Sequence, residues 1–154
     1  MSAVALHIDL AEIELASARL DAIASKIDVG ALLSGVTGIV ESQTRRRITD
    51  EKRAPDGTPW ADWSPAYAET RHGGHSLLQG RGDYLDSIFG EVRGDVGVVG
   101  SPLIYAAMHQ LGGDFQAFGR HAATMPARPA FGLSPADETE ILEVVSDYLN
   151  GLDL

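Results

Sequence analysis

The sequence predicts an α+β domain, in which helices flank a small antiparallel sheet. Apolar residues recur at three- and four-residue steps near both ends of the chain, which is the spacing of amphipathic helices. Between these regions, residues alternate along two short runs on either side of Gly94-Asp95, which indicates a β-hairpin. The chain has 154 residues with no repeat and no linker, so residues 1–154 are expected to form a single domain with long irregular segments.

Two helices are predicted in the first third of the chain. Asp9 and Glu12 have the spacing of a capping box, and one apolar stripe follows them: Ile13, Ala16, Leu20, Ile23 and Ile27. Asp28 is the expected cap of the second helix, which continues to about Ile48. Three glycines weaken that helix by about 1 kcal/mol each, namely Gly30, Gly35 and Gly38.

Turn and cap signals divide the rest of the chain. Ala54-Pro55-Asp56-Gly57 fits a β-turn, and Ser64-Pro65 opens a short helix that runs through about Thr70. Residues 71–83 are expected to be loop. Residues 104–112 are expected to form a short helix closed by Gly112. Ser134-Pro135-Ala136-Asp137 caps a C-terminal helix, which Asn150-Gly151 ends and which carries this stripe: Ile141, Val144, Val145 and Tyr148.

The segment before the C-terminal helix has no clear period. We predict that residues 113–124 are a flexible arm that becomes ordered only in an assembly. Pro126 and Pro129 exclude a central strand and favour a stiff extended segment. Such a segment loses little entropy when it docks, which makes Arg128, between the two prolines, a candidate contact with another subunit.

Composition excludes several classes of function. There are 12 basic and 22 acidic residues, for a net charge of −10, whereas sequence-independent DNA binding requires basic residues that neutralise phosphates. The chain has no cysteine, which excludes disulfides and thiol catalysis. No signal peptide, membrane-spanning run or nucleotide-binding motif is recognised. We therefore expect a soluble protein made in the cytoplasm that is not an enzyme, has no cofactor and does not contact a membrane.

Six segments stand in this order along the chain: ESQTRRRI, EKRAPDGTPWADWSPAYAE, LLQGRGDYLDSI, VGVVGS, YAAMHQLGG and MPARPAFGLSPAD. Together they resemble the Mu-like phage virion morphogenesis family of tail-completion or head–tail joining proteins. The resemblance implies a structural subunit of the virion tail or neck, assembled in the host cytoplasm as a homo-oligomeric ring, with sixfold symmetry as the expectation. Its partners would be the tail tube or terminator and the head–tail connector, and DNA would only pass through the ring.

Eight residues are predicted to form the assembly interface: Arg45, Arg46, Arg47, Trp60, Trp63, His109, Gln110 and Arg128. The arginine run ends a predicted helix, where cations meet the negative end of the helix dipole. It is either a solvated face paired with Glu41, Asp50 and Glu51, or a dock for an acidic partner, since arginine binds carboxylates bidentately. If it is a dock, charge reversal should leave thermal stability almost unchanged. One tryptophan is expected to pack under the Pro55 turn and the other to face a neighbour.

Three alternatives remain open at this point. The chain could be the tail terminator, which caps the tail tube. It could be a nucleic-acid-binding accessory protein of a mobile element, with the arginine run as a phosphate clamp beside the two tryptophans. It could be a metal-dependent enzyme that uses His72, His75 and His109, although a zincin motif would place its histidines on a helix with a glutamate.

Overall fold

A computed structural model describes residues 10–117 and 121–152 and confirms the α+β class. The helices are α1 (Leu10–Ala24), α2 (Val29–Arg46, continued by a π-helical turn, Arg47–Glu51), α3 (Pro65–Ala68), α4 (Asp83–Asp86), α5 (Ala106–Leu111) and α6 (Pro135–Asn150). The strands are β1 (Phe89–Arg93), β2 (Val96–Gly100), β3 (Gly113–Ala117) and β4 (His121–Met125), which form two antiparallel hairpins, β1–β2 and β3–β4.

Helix α2 is the element against which both α6 and the β1–β2 hairpin pack. Helix α6 is antiparallel to α2, because Asp28 N, at the start of α2, donates to Tyr148 Oη at 2.9 Å, whereas Gln43 Nε2 donates to the Asp137 carbonyl at 3.1 Å. The hairpin approaches α2 closely through glycine. A Cβ on Gly97 would collide with Thr37 Oγ1, which is held by its hydrogen bond to the Leu33 carbonyl, so only glycine lets the strand pack at this distance.

The hydrophobic core lies at the C-terminal end of α2. Ile48, in the π-helical turn, is fully buried there beside residues from the 54–60 turn, α4, α5 and the segment before α6. The buried apolar residues are Ile48, Ala54, Trp60, Tyr84, Ile88, Ala106 and Ala130. Residues from distant parts of the sequence therefore meet where the arginine run ends α2.

Most of the local predictions are confirmed. Asp28 caps α2 by accepting from Ala31 N at 2.9 Å, and Gly57 N closes the predicted turn onto the Ala54 carbonyl at 2.9 Å. The β1–β2 hairpin pairs Phe89 with Gly100 and Arg93 with Val96 around Gly94-Asp95. Helix α5 ends at Gly112, and α6 begins with a capping box between Ser134 and Asp137. Asp9 lies outside the described residues.

One prediction of irregular structure is wrong. The segment interpreted as a flexible arm contains β3 and β4, paired from Gly113↔Met125 to Ala117↔His121, although residues 118–120 lie outside the described residues. Cross-strand backbone pairing orders this hairpin, and Thr124 Oγ1 donates a hydrogen bond to Asp114 at 2.6 Å. The loop predicted over residues 71–83 is confirmed as far as Gly82, and the short helix α4 begins at Asp83.

Helix α1 leaves an apolar face exposed to solvent. Leu10, Ile13 and Leu20 are 68%, 53% and 67% exposed, and the axes of α1 and α2 differ by a 57° bend. Within the described residues no single helix is long and apolar enough to cross a membrane. The bent pair Ile13–Ala24 and Val29–Glu51 reaches the necessary length and apolar composition only when both helices are counted together.

Candidate assembly interface

Arg47 is fully buried at the point where α2 becomes a π-helical turn. Its Nη1 donates to the carbonyls of Ala130 and Gly132 at 2.7 and 2.8 Å, and its Nη2 donates to the carboxylate of Asp137. One planar guanidinium therefore joins the end of α2 to the segment before α6 and to the first turn of α6. The expectation that the arginine run lies on the surface is therefore wrong for Arg47, whose contacts are all within its own chain.

Asp137, the carboxylate partner of Arg47, is only 1% exposed. It also accepts from Ser134 N at 2.8 Å and from Ser134 Oγ at 2.7 Å, as part of the capping box. Burial disfavours the ionised carboxylate, but the hydrogen bonds from Ser134 and the nearby Arg47 outweigh it, so the pKa of Asp137 lies below its ordinary value. Asp137 is thus charged in the folded chain at neutral pH.

Arg46 lies at the edge of the same network and is 40% exposed. It donates to Glu51 at 3.1 Å, to Asp137 Oδ1 at 3.2 Å and to Glu140 at 3.0 Å. Hydrogen bonds from Gln43 and Arg46 lower the pKa of Glu140. Hydrogen bonds to Glu140 and Glu51 raise the pKa of Arg46. The second arginine therefore holds α2 to α6 as well.

Arg45 points toward a different part of the fold. Its Nη1 donates to the Leu85 carbonyl at 2.8 Å and its Nη2 to the Ile88 carbonyl, while Glu41 pairs with it along the helix at 3.0 Å. It therefore joins α2 to the connection between α4 and β1. Arg46 and Arg47 both bind Asp137 of α6, and Arg45 binds the connection between α4 and β1, so we now expect charge reversal at all three to lower thermal stability substantially.

The two tryptophans have different environments. Trp60 is buried in the core, and its Nε1 donates to the Pro129 carbonyl at 3.0 Å. Trp63 is half-buried, with its ring edge-on to Tyr67 at a centroid distance of 6.1 Å. Trp60 is therefore a packing residue of this chain, while a contact between Trp63 and a neighbour stays a prediction.

Arg128 is buried, and its side chain binds the backbone between Trp60 and Trp63 of its own chain. Its Nε donates to the Ala61 carbonyl at 2.8 Å, its Nη2 to the Asp62 carbonyl at 3.0 Å, and its backbone N to the His109 carbonyl at 2.7 Å. The proline-framed segment is thus docked, as expected for a stiff segment, but its docking surface lies within the same chain.

Gln110 and His109 hold the same segment from α5. Gln110 Oε1 accepts from Ala130 N and Phe131 N at 3.0 Å, and its Nε2 donates to the Phe131 carbonyl at 2.9 Å. The His109 ring packs against Tyr84 and Tyr105, at centroid distances of 5.3 and 5.6 Å.

Burial shifts the pKa values of both His109 and Tyr84. Burial lowers the pKa of His109, with a further contribution from the charge of Arg128. Burial raises the pKa of Tyr84 to about 12. Both groups are therefore expected to be uncharged near neutral pH.

The histidines of the metal hypothesis are not brought together with acidic ligands. The rings of His72 and His75 lie edge-on, 6.0 Å apart. Across residues 10–117 and 121–152, no three histidine, aspartate or glutamate side chains are arranged to hold a metal ion.

The sequence did not predict two features of the network between α2 and α6. One is the participation of Gln43, and the other is the ion pair of Asp137 with Arg47. A buried polar residue on a helix gives a weak signal, because nothing in the neighbouring sequence distinguishes Gln43 from an exposed polar residue of the same helix. Asp137 was recognised as part of a cap, but its partner lies 90 residues away in sequence and could not be inferred from local pattern.

Acid titration should reveal the charged state of Asp137. Its folded-state pKa lies below the unfolded value of about 3.9, so its ionisation stabilises the fold above about pH 4 and the stabilisation is lost as pH falls through the folded pKa. We expect the free energy of unfolding to fall more steeply from about pH 5 to pH 2 in the wild type than in Asp137→Asn, which has no proton to take up there. Urea unfolding across that range measures both slopes, and parallel curves would contradict the assignment.

Comparison with known proteins places this chain among phage proteins. The model of the phage virion morphogenesis family matches residues 8–150. The chain is 35% identical over 144 residues to protein G of Escherichia phage Mu, a protein named for capsid assembly, and the match covers 90% of this chain and 86% of that one. It is 44% identical over 64 residues to the Mu-like prophage FluMu G protein 2 of Haemophilus influenzae, over 42% of this chain and 45% of that one.

No solved structure matches this chain, so the sequence relationships carry the assignment. The family match spans nearly the whole chain, including the arginine network, the core and α6. The chain therefore belongs to the phage virion morphogenesis family, and its role is a structural or assembly role in a phage.

Proposed function

We propose that this chain is a ring-forming subunit of a tailed phage or prophage that completes the tail and joins it to the head. Family membership supports the phage assembly role. The two finer parts of the proposal, head–tail joining and ring formation, are based on the resemblance of the six quoted segments to tail-completion proteins. The observation that carries the proposal in the structure is the exposed apolar surface on α1 and beside α5.

The exposed surface has the character of an interface. Leu10, Ile13 and Leu20 are exposed on α1, and Ile104, before α5, is 96% exposed. Single exposed apolar residues are ordinary, but a helix that leaves a row of them uncovered is typical of a protein-binding surface. In a virion subunit, assembly would remove this surface from water.

The charge balance also supports passage of DNA through such a ring. A net charge of −10 gives the subunit a field that repels a polyanion, and a lumen of that sign would not retain DNA as it moves. The same balance argues against the nucleic-acid-binding alternative. Arg47 is buried and Arg45 and Arg46 bind carbonyls and carboxylates of their own chain, so the arginine run offers little to a phosphate.

The tail terminator remains the alternative within the same class, because the exposed surface on α1 fits either position at the end of a tail. Five of the eight predicted residues keep part of their surface exposed and stay candidates for contacts between subunits: Arg45, Arg46, Trp63, His109 and Gln110.

Quantitative mass spectrometry of purified particles tests whether the chain is a virion component. We expect it in finished particles at a fixed low copy number, about six for a ring with cyclic symmetry. A matched preparation of separated heads and tails should place it with the tails. Its absence from finished particles, with ample amounts in the lysate, would contradict a structural role in the virion.

A further inference from the structure

We propose that α1 of one copy binds in a groove along α2 of the next copy, and that this contact repeats around the ring. The inference rests on the proposed function, because it supplies the subunit contact that the ring requires. It is carried by two features of one chain: a groove that is not filled and an amphipathic helix whose apolar face is not covered.

The groove runs along α2 beside strand β2 and has a volume of about 260 Å³. Leu33, Val36 and Val40 form its floor, and Val99 of β2 and Phe131 line its sides. All five side chains are half-buried, so each retains surface that a partner could cover. The spacing of the floor residues, three and then four positions apart, is that of grooves that accept an apolar helix face.

Helix α1 supplies a face of matching length. Leu10, Ile13 and Leu20 fall within about 80° of one another around the helix. They span about 15 Å along the axis, while the groove residues from Leu33 to Thr44 span about 16 Å at the same rise per residue. The α1 of the same chain does not occupy the groove, because its residues 10–20 are exposed wherever the structure describes their side chains.

The area that α1 can bury favours a second copy as the occupant. An interface side of about 800 Å² uses 20–30 residues, so the docked face of α1, about half of its 15 residues, would bury roughly 250 Å² on each side of the contact. The total of roughly 500 Å² is below what a specific pair of proteins buries, so the contact has to be repeated to hold an assembly together. In a closed ring every subunit makes the contact twice, once through α1 and once through its groove. A contact this small is therefore weak in a dimer and sufficient in a ring.

Cross-linking between two differently labelled copies tests the contact directly. The chain contains no cysteine, so single thiols can be placed without background. We would mix full-length Leu20→Cys carrying an affinity tag with untagged Val36→Cys and add a short bis-maleimide reagent. Leu15→Cys is the matched control, because Leu15 is also exposed but points about 140° away from Leu20 around α1. Circular dichroism confirms that each variant is folded.

The expected result is a tagged–untagged dimer that increases with protein concentration. Its yield from Leu20→Cys should exceed that from Leu15→Cys roughly tenfold, because docking raises the effective concentration of one thiol at the other. Equal yields, or no dimer from the Leu20→Cys mixture, would overturn the proposal. A cross-linked monomer from the double variant Leu20→Cys/Val36→Cys at high dilution would also overturn it, since α1 would then be folding onto its own groove.

The outcomes separate this inference from the proposed function. If particles contain the chain but the cross-link fails, the helix-in-groove contact is wrong and the virion role stands. If the cross-link forms but particles lack the chain, the contact is real and the proposed virion role is wrong.

Discussion

Replacing Arg47 by methionine should lower the free energy of unfolding by about 3–5 kcal/mol. The side chain is fully buried, and its removal leaves the carboxylate of Asp137 and the carbonyls of Ala130 and Gly132 without their donor. A buried charge that loses its partner keeps the cost of desolvation without the compensating attraction. Urea unfolding at neutral pH measures the loss.

Two comparisons isolate the cause of that loss. Arg93→Gln removes an arginine that is 66% exposed and paired only at the surface, so it should change stability by less than about 1 kcal/mol. Adding Asp137→Leu to Arg47→Met should cost less than the sum of the two single changes, because both charges leave together. A loss below about 1 kcal/mol for Arg47→Met would show that the ion pair contributes little to the fold.

Gly112→Ala should destabilise the protein by roughly 2–4 kcal/mol. The residue ends α5 at φ 70° and ψ −174°, a region that is essentially restricted to glycine. An added Cβ would lie 2.7 Å from Ala127 N and 2.9 Å from the Met125 carbonyl oxygen. These neighbours are backbone atoms of the segment that leads to Arg128, so they cannot move aside without displacing that segment.

Gly35→Ala is the matched control for the glycine substitution. Gly35 lies inside α2, and an added Cβ would meet no atom within 4 Å. Alanine should therefore stabilise α2 by about 0.5–1 kcal/mol, through its better helix propensity. Thermal unfolding of both variants gives the contrast, and similar effects of the two substitutions would contradict the proposed collision at Gly112.

The parts of the fold that the sequence predicts are those determined by neighbouring residues. Asp28 and Ser134 cap helices by bonds to backbone three residues away. Gly94-Asp95 turns a hairpin between two alternating runs. Each of these signals acts within a few residues, so pattern alone is sufficient to recognise it.

The parts that the sequence does not predict depend on contacts between distant segments. A run of three arginines is ordinarily a surface feature, yet Arg47 is buried because a carboxylate 90 residues away compensates its charge. The β3–β4 hairpin gives only a weak local signal, because its strands are five residues long and, of the side chains that the structure describes there, only Phe115, Ala123 and Met125 form the half-buried face. Arg128 was expected to contact another subunit, but its side chain binds the Ala61 and Asp62 carbonyls of its own chain, and the local sequence does not distinguish these two docking surfaces.

These results move the candidate assembly surface away from the arginine run. Arg47, Trp60 and Arg128 are interior residues, so their loss would impair assembly by destabilising the subunit. The exposed apolar face of α1 and the groove along α2 are positions where a substitution could affect assembly and leave the fold intact. Assembly-defective variants that remain folded are therefore expected to map to α1 and to this groove.

Electron microscopy of an induced lysate from a prophage that lacks this gene tests the central claim most directly. The proposed role in head–tail joining predicts full heads beside separate tails of normal length. Overlong or ragged tails would instead support the terminator alternative. Intact particles with heads and tails joined normally, at wild-type abundance, would contradict a required role in tail completion or joining.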